Sequence, residues 1–204
     1  MTDNPQSERF EDNLREKLGE TGGWTPGALN ANEANDKVAR DALTKLESRD
    51  EIARHLQDIT KNNLDACLLF VDVDHFKEIN DSHTHEVGDV VLENLGLRIS
   101  GKISAKDHAG RWGGEEFLVV FEGLNNLETA KQRAEQIRAS VADNPLSIDK
   151  VTLPITVSIG VSSRRLGETY KEWVKRADKA MYLAKESGRN QVKTERDLIN
   201  TNNV

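Results

Sequence analysis

A pair of glycines, Gly113 and Gly114, separates two β-compatible runs and is followed directly by two acidic residues, Glu115 and Glu116. Both central residues of a tight primed turn need positive φ, which glycine adopts without a Cβ clash, so the pair predicts a hairpin. Because adjacent strand residues point to opposite faces of a sheet, we expect the two carboxylates to have different roles. Taken alone, such a hairpin is more often a solvated turn than a site, and a functional interpretation needs a second element.

The second element is an apolar run over residues 66–71 that reads as a buried strand and leads into Asp72. An ionised carboxylate at the end of a buried strand is costly unless a counter-charge or a metal accompanies it. Together with Glu115 and Glu116, Asp72 gives an all-oxygen ligand set, which suits Mg²⁺ or Mn²⁺ and not Zn²⁺. Magnesium usually completes its shell with waters and substrate phosphates, so we expect a phosphate-bearing substrate.

The segment after this strand resembles the GGDEF family, whose corresponding segment reads roughly D-x-D-x-F-K-x-x-N-D-x-x-G-H-x-x-G-D. The matching residues are Asp72, Asp74, Phe76, Lys77, Asn80, Asp81, His85, Gly88 and Asp89. Thr84 stands where the family has glycine. Further matches lie at residues 41–44, 156–161 and 177–190, and the acidic hairpin is the GGEEF variant. The resemblance therefore covers about residues 41–193 in five ordered blocks, far more than a lone short motif.

The resemblance implies a diguanylate cyclase, a nucleotidyltransferase that joins two GTP molecules into cyclic di-GMP and releases two diphosphates. It implies a homodimer with Mg²⁺ or Mn²⁺, because one domain offers a single GTP half-site. A 3′-hydroxyl must lose its proton as it attacks an α-phosphorus, while metal and cations neutralise the developing charge. The alternative is a catalytically silent module that binds GTP or cyclic di-GMP. We favour activity, because silent members usually lose the signature acids or the upstream aspartate and this chain keeps them.

The resemblance also implies roles for individual residues. The metal ligands would be Asp72, the backbone carbonyl of Val73, Glu115 and Glu116, and the catalytic residues Glu115 and Lys77. The substrate contacts would be Asn80, His85, Asp89, Lys185 and Arg189. Glu115 is the candidate proton acceptor, and a metal-bound hydroxyl that deprotonates without a discrete base is the alternative. His85 is equally compatible with a structural role beside a helix start.

The guanine readers implied by the resemblance are Asn80 and Asp89. A carboxylate at position 89 accepts hydrogen bonds from guanine N1–H and the exocyclic amine, a donor pair that adenine lacks. We therefore expect GTP and not ATP. Lys185 and Arg189 would meet the triphosphate, and their four-residue spacing places them on one helical face. His75 and His83 have no counterpart and are interpreted as surface residues.

One motif of the family is missing. Many members carry R-x-x-D shortly before the signature, where dimers of cyclic di-GMP bind and inhibit, and this chain has Ser104 in place of the arginine. Serine can neither grip phosphate with a planar fork nor stack on a purine. We therefore expect no product inhibition of this type, and we expect Asp107 to cap or turn the chain.

The order of patterns predicts an α+β sandwich, because helical and strand periodicities interleave along the chain. The resemblance sharpens this to a ferredoxin-like palm, with a mostly antiparallel central sheet flanked by helices, as in nucleotidyl cyclases and polymerase palms. We predict a loosely ordered polar arm over residues 1–32, a helix over 33–40, the GGDEF domain over 41–193 and a polar tail over 194–204. In the turn at 41–48, Lys45 replaces the usual glycine and Ser48 the usual asparagine.

Composition limits the partners and the compartment. A net charge of −7 argues against a nucleic-acid partner, which would require a surplus of lysine and arginine. Cys67 is the only cysteine, so no internal disulfide can form and we expect a buried, inert thiol. The sequence has neither an apolar stretch near the roughly twenty residues of a membrane span nor a signal-peptide pattern. We expect a cytoplasmic protein without a membrane partner, and a regulatory partner could act through the N-terminal arm and helix.

Overall fold

The computed structural model describes residues 38–148 and 151–201. Its helices are α1 Arg49–Lys61, α2 Phe76–Ser82, α3 His85–Ser100, α4 Leu127–Ala142, α5 Tyr170–Glu186 and α6 Asp197–Thr201. Its strands are β1 Ala66–Val73, β2 His108–Arg111, β3 Glu116–Glu122, β4 Leu146–Ile148, β5 Val151–Leu153, β6 Val157–Ser163 and β7 Val192–Thr194.

The main sheet has five strands in the order β2-β3-β1-β6-β7. The central strand β1 pairs antiparallel with both β3 and β6, and β2 pairs antiparallel with β3. Only β7 breaks the pattern, since it runs parallel to β6 at the edge. Strands β4 and β5 form a separate antiparallel pair. This mostly antiparallel sheet with flanking helices confirms the predicted α+β palm.

Strand β1 is buried along its whole length, as its continuous apolar run predicts. One face of the sheet packs on α1 and α5 in a shared core. That core includes Ile52, Leu56, Leu68, Phe70, Leu118, Val120, Trp173 and Met181. Cys67 is fully buried, and burial raises the pKa of its thiol to about 12, which confirms the inert cysteine.

The acidic hairpin exists, but its turn differs from the prediction. Strands β2 and β3 pair with Arg111 opposite Phe117, and four residues, 112–115, connect them. Neither glycine adopts positive φ, so the expectation of a tight primed turn was wrong. The backbone N–H groups of Trp112 and Gly113 both donate to the Glu116 carbonyl, at 2.8 and 3.3 Å. A Cβ at position 113 would lie 2.6 Å from Glu116 Oε2, so the glycine gives the carboxylate room and does not provide a special φ.

The predicted arm and most of the predicted helix over 33–40 lie outside the described residues. Residues 38–40 are not helical, and Arg40 instead forms a β-bridge with Glu47. At the other end, the described part of the predicted tail is built into the fold. Thr194 ends β7, and Glu195 is buried among Arg165, Arg176 and Ser163. No helix in the described part of the chain combines the length and apolar character that a membrane crossing requires.

Candidate active site

The acidic residues lie where the end of β1 meets the loop between β2 and β3. In the sheet register, Asp72 faces Glu116 of β3. The backbone N–H of Val73 donates to the Glu115 carbonyl at 3.4 Å. Asp72 is only 4% exposed, whereas Glu115 and Glu116 are half-buried. The fold therefore brings the two predicted acidic elements together.

The electrostatics of this group show a deficit of positive charge. Burial raises the pKa of Asp72 to about 6, and the charges of Glu115 and Glu116 add to the effect. Lys185 of α5 opposes it, with Nζ at 2.7 Å from Asp72 Oδ1. The Lys185 ammonium lowers the pKa of Asp72 by its hydrogen bond and its charge, yet the effect of burial is larger and the pKa stays raised. A buried carboxylate in this state fits a site for a further cation.

Two residues that the sequence did not single out belong to this group. Asp178 of α5 is partly buried with a raised pKa, and its charge also raises the pKa of Glu116 after the larger effect of burial. Asp178 precedes Lys185 by two helical turns, so both lie on one face of α5, a signal that the spacing already contained. Arg49 stacks on the Trp112 ring at 4.8 Å, and its charge only partly offsets the raised pKa of Glu116.

Asp74 has a structural role beside the site. Its buried carboxylate accepts hydrogen bonds from Thr156 Oγ1 and Ser158 Oγ, both at 2.7 Å. The backbone N–H of Asn190 donates to it at 3.0 Å. This ties the end of β1 to β6 and to the turn after α5, where Arg189 has φ 62°. Arg189 therefore lies in a turn beyond α5, which ends at Glu186, and the expectation that it shares a helical face with Lys185 was wrong. Its side chain is exposed.

The predicted guanine readers lie on two neighbouring helices. A Cβ at Gly88 of α3 would lie 2.0 Å from Asn80 Oδ1 of α2, so only glycine allows this approach. Asn80 Oδ1 is buried without a hydrogen-bond partner in the described chain, which leaves an acceptor unused. Asp89 follows Gly88 and is exposed, as are Lys77 and His85. Across residues 38–148 and 151–201, no hydrogen bond or ion pair joins Lys77, His85 or Asp89 to the acidic group.

The stretch that replaces the family's R-x-x-D motif is closed around its aspartate. Ser104 donates to Asp107 Oδ2 from its backbone N–H at 2.8 Å and from Oγ at 2.6 Å, which confirms the predicted turn. Arg133 of α4 contacts the same oxygen at 2.7 Å and stacks on Phe121. The Asp107 side chain has no exposed surface. It is therefore not available to a ligand in this conformation.

A second polar cluster was not foreseen. Within the described ranges, one group of three metal-type side chains has ligand atoms within 4.8 Å of one another, and it consists of Glu47, His55 and His108. The carboxylates of Asp72, Glu115 and Glu116 do not form such a compact group in the described structure, in which the Lys185 ammonium lies beside Asp72. The separations of 8 and 53 residues within the cluster carry no sequence signal, because docking of the 41–48 turn on β2 brings its members together.

Comparison with known proteins agrees with these observations. Residues 38–191 match the family model described as diguanylate cyclase, GGDEF domain. The chain is 37% identical over 175 residues to diguanylate cyclase A of Treponema denticola, covering 81% of this chain and 46% of the relative. The chain thus spans less than half the length of the curated relatives it matches, 46% and 37% for the first two.

Solved structures give the same result. The GGDEF domain of DgcB from Caulobacter crescentus, in complex with c-di-GMP, matches with TM-score 0.72 and 30% identity, covering 81% of this chain and 99% of that one. A structure described as the active GGEEF domain of a diguanylate cyclase from Vibrio cholerae matches with TM-score 0.65 and 33% identity, covering 72% and 96%. The second shares the GGEEF form of the signature.

Proposed function

The chain belongs to the GGDEF domain family of diguanylate cyclases, and from this premise we propose that it condenses two GTP molecules into cyclic di-GMP with release of two diphosphates. The observation that carries the proposal is the cation-deficient acidic group. Asp72 is buried beside Glu115 and Glu116 with a pKa raised to about 6, and Lys185 is its counter-charge. Retaining such a costly group is expected if a metal and phosphates complete it. The activity described for the GGEEF relative supports this interpretation.

In this proposal, Asp72, the Val73 carbonyl, Glu115 and Glu116 hold Mg²⁺ or Mn²⁺. The ion would supply charge neutralisation at the attacked phosphate. Glu115 accepts the proton of the 3′-hydroxyl, and Lys77 contacts phosphate. Lys185 faces Asp72 in this structure. If a metal ion neutralised that carboxylate, the ammonium would be able to contact the triphosphate together with Arg189.

Guanine selection is assigned to Asn80 and Asp89. The exposed carboxylate of Asp89 suits the donors on the Watson–Crick edge of guanine. Asn80 Oδ1 is buried against Gly88, so in this proposal the Asn80 side chain turns outward to meet guanine. ATP presents an amine where guanine has an oxygen and lacks the N1–H. With ATP, the Asp89 carboxylate would face adenine without hydrogen-bond donors, and this unpaired charge is the proposed reason for the preference for GTP. His85, at the first turn of α3, is the remaining proposed substrate contact.

The reaction needs two half-sites, so we propose a homodimer. Specific activity should then rise with protein concentration through the dimerisation range. Deleting residues 1–37 removes the predicted arm and most of the predicted helix over 33–40 while it keeps the 41–48 turn. A truncated protein with the same activity at every concentration would exclude the arm from assembly.

We further propose that cyclic di-GMP does not inhibit through the Ser104–Asp107 stretch. Ser104 offers no guanidinium, and Asp107 is enclosed by Ser104 and Arg133. The missing contacts are charge-assisted, each worth on the order of 1.5–3 kcal/mol. Titrating cyclic di-GMP into the assay at saturating GTP should leave turnover unchanged. Strong non-competitive inhibition, with two or more molecules bound per chain by calorimetry, would refute this.

The competing function is a silent module that binds GTP or cyclic di-GMP. Incubation of the purified chain with GTP and Mg²⁺, followed by chromatography of the nucleotides, separates the two. We expect cyclic di-GMP from GTP and no product from ATP. Saturable GTP binding by calorimetry without any product would favour the silent module instead.

A further inference from the structure

Glu47, His55 and His108 form a cluster that the proposed reaction does not use. His55 Nδ1 lies 3.0 Å from Glu47 Oε2, and His108 Nδ1 lies 3.1 Å from Glu47 Oε1. The centroids of the two rings lie 3.9 Å apart, and the ring planes are tilted by 46°. The Glu47 side chain is 10% exposed and the imidazoles are 16% and 21% exposed. The cluster is therefore largely shielded, with an opening to solvent at the rings.

The donor set and its spacing fit a transition metal. Two imidazoles and one carboxylate are ligands of zinc sites, unlike the all-oxygen set around Asp72. A tetrahedral ion with bonds of about 2.0–2.1 Å separates neighbouring ligand atoms by about 3.3 Å. The observed nitrogen-to-oxygen distances of 3.0 and 3.1 Å are close to that edge. The three ligand atoms lie within 4.8 Å of one another, so they would have to close by up to about 1.5 Å to surround an ion, with water as the fourth ligand.

The outer nitrogen of one ring has a partner of the expected kind. His108 Nε2 lies 3.3 Å from Glu122 Oε2. The hydrogen-bonding neighbour of His55 Nε2 is instead Arg54 at 3.1 Å, with Glu51 Oε1 further away at 3.5 Å. Metal-bound histidines usually donate their second N–H to a carboxylate, which fixes the tautomer that ligates. In the metal-free chain the hydrogen bonds to Glu47 and Glu122 hold the pKa of His108 above its ordinary value, so zinc would displace a proton on binding.

The guanidinium of Arg54 lies at the edge of the cluster, where it contacts the His55 ring. Arg54 NH2 lies 3.1 Å from His55 Nε2, and the same guanidinium contacts Glu51 at 2.5 Å and Asp58 at 3.4 Å. Arg54 only donates, so in this contact His55 Nε2 carries no proton and Nδ1 donates to Glu47. Zinc at Nδ1 therefore requires the other tautomer of His55. The Arg54 side chain is 49% exposed and can keep its acidic partners while it moves off the ring.

We propose that Glu47, His55 and His108 bind Zn²⁺ and thereby fasten three elements together. Glu47 belongs to the turn that leads into the domain, and its backbone bonds Ala109 and Arg111 of β2 at 2.9 and 3.0 Å. His55 lies on α1 and His108 on β2. Zinc would clamp the entry turn to the strand that leads into the acidic loop. Because binding requires all three elements in place, it should stabilise the folded chain.

The test is zinc binding by the tag-free full-length chain after chelation and removal of all metals. Excess Mg²⁺ is kept present to occupy oxygen-ligand sites, and Zn²⁺ is titrated by calorimetry. We expect one zinc per chain, a rise in the thermal unfolding midpoint, and visible absorption bands of tetrahedral Co²⁺ when cobalt replaces zinc. Because the assay measures zinc binding and not turnover, its result does not depend on whether the chain has cyclase activity.

The variants locate the site. His55→Gln and His108→Gln should weaken zinc binding by more than about 100-fold, since even changes in the outer layer typically cost 10–100-fold. Glu122→Gln should weaken it by about tenfold or more, and it covers the case in which a histidine variant fails to fold. The matched control is His83→Gln, an exposed histidine outside the cluster, which should bind as the wild type does. The proposal is overturned if the wild type binds no zinc, or if Glu122→Gln and the folded histidine variants bind it as tightly as the wild type.

Discussion

Asp72→Asn should make the metal-free protein more stable at neutral pH, although it removes a proposed metal ligand. The pKa of Asp72 is raised from 3.8 to about 6, with burial as the largest cause. At about 1.4 kcal/mol per pH unit, keeping this group ionised at neutral pH costs about 3 kcal/mol. Asparagine has nearly the same shape and no charge, so it removes that cost. The raised pKa of Asp72 already includes the favourable contact with Lys185, so that contact needs no separate correction.

The sign of the pH dependence follows from linkage. Between pH 3.8 and about 6 the folded protein holds a proton on Asp72 that the unfolded chain has released. The free energy of unfolding contributed by this group therefore falls as pH rises through that window and is constant above it. The gap between Asp72→Asn and the wild type should be near zero at pH 4, grow up to pH 6, and level off at about 3 kcal/mol.

The assay is urea unfolding in EDTA, followed by circular dichroism between pH 4 and 8. In a thermal unfolding experiment, a difference of about 3 kcal/mol in the free energy of unfolding would correspond to roughly 6–12 °C in the midpoint for a domain of this size. Asp81→Asn, a change at an exposed position on α2, is the control and should show no such pH-dependent gap. Saturating Mg²⁺ should stabilise the wild type and not Asp72→Asn. A variant that is less stable than the wild type at pH 7.5, or a gap that does not change with pH, would refute the reasoning.

Three further substitutions test the remaining assignments. Glu115→Gln should lower turnover by more than about 100-fold while the thermal midpoint stays or rises, because repulsion with Asp72 is relieved; near wild-type turnover would contradict its role. Asp89→Asn should reduce the preference for GTP over ATP by about tenfold or more, measured as the ratio of kcat/KM values, and an unchanged ratio would remove Asp89 from guanine selection. Lys45 has φ 60°, a backbone conformation in which a side chain costs about 1–2 kcal/mol. Lys45→Gly should therefore raise the urea midpoint. A lower midpoint would show that the contact of the Lys45 side chain with the Ala42 carbonyl matters more.

Strand and helix periodicity were sufficient to predict the α+β class, because each element buries an apolar face with its own spacing. The resemblance supplied the palm topology. The hairpin was predicted from Gly113 and Gly114, yet the turn type was wrong. Two glycines signal a primed turn only if positive φ is what they provide, and here Gly113 provides space for the Glu116 carboxylate.

Long-range contacts explain what the sequence left out. The separation of two helical turns between Asp178 and Lys185 could have been read from the chain, because α5 is regular. The cluster around Glu47 could not, since its members meet only when the entry turn docks on β2. The same holds for Glu195, which sequence position alone placed in a polar tail and the fold buries against Arg176.

The central claim is that this chain makes cyclic di-GMP from GTP, and a stoichiometric product analysis tests it most directly. Purified protein with Mg²⁺ and GTP should give one cyclic dinucleotide and two diphosphates for every two GTP consumed, identified by chromatography and mass spectrometry. Glu115→Gln under the same conditions should make product more than about 100-fold more slowly. Consumption of GTP to other products, or no consumption by a folded, dimeric wild type that binds GTP, would contradict the account.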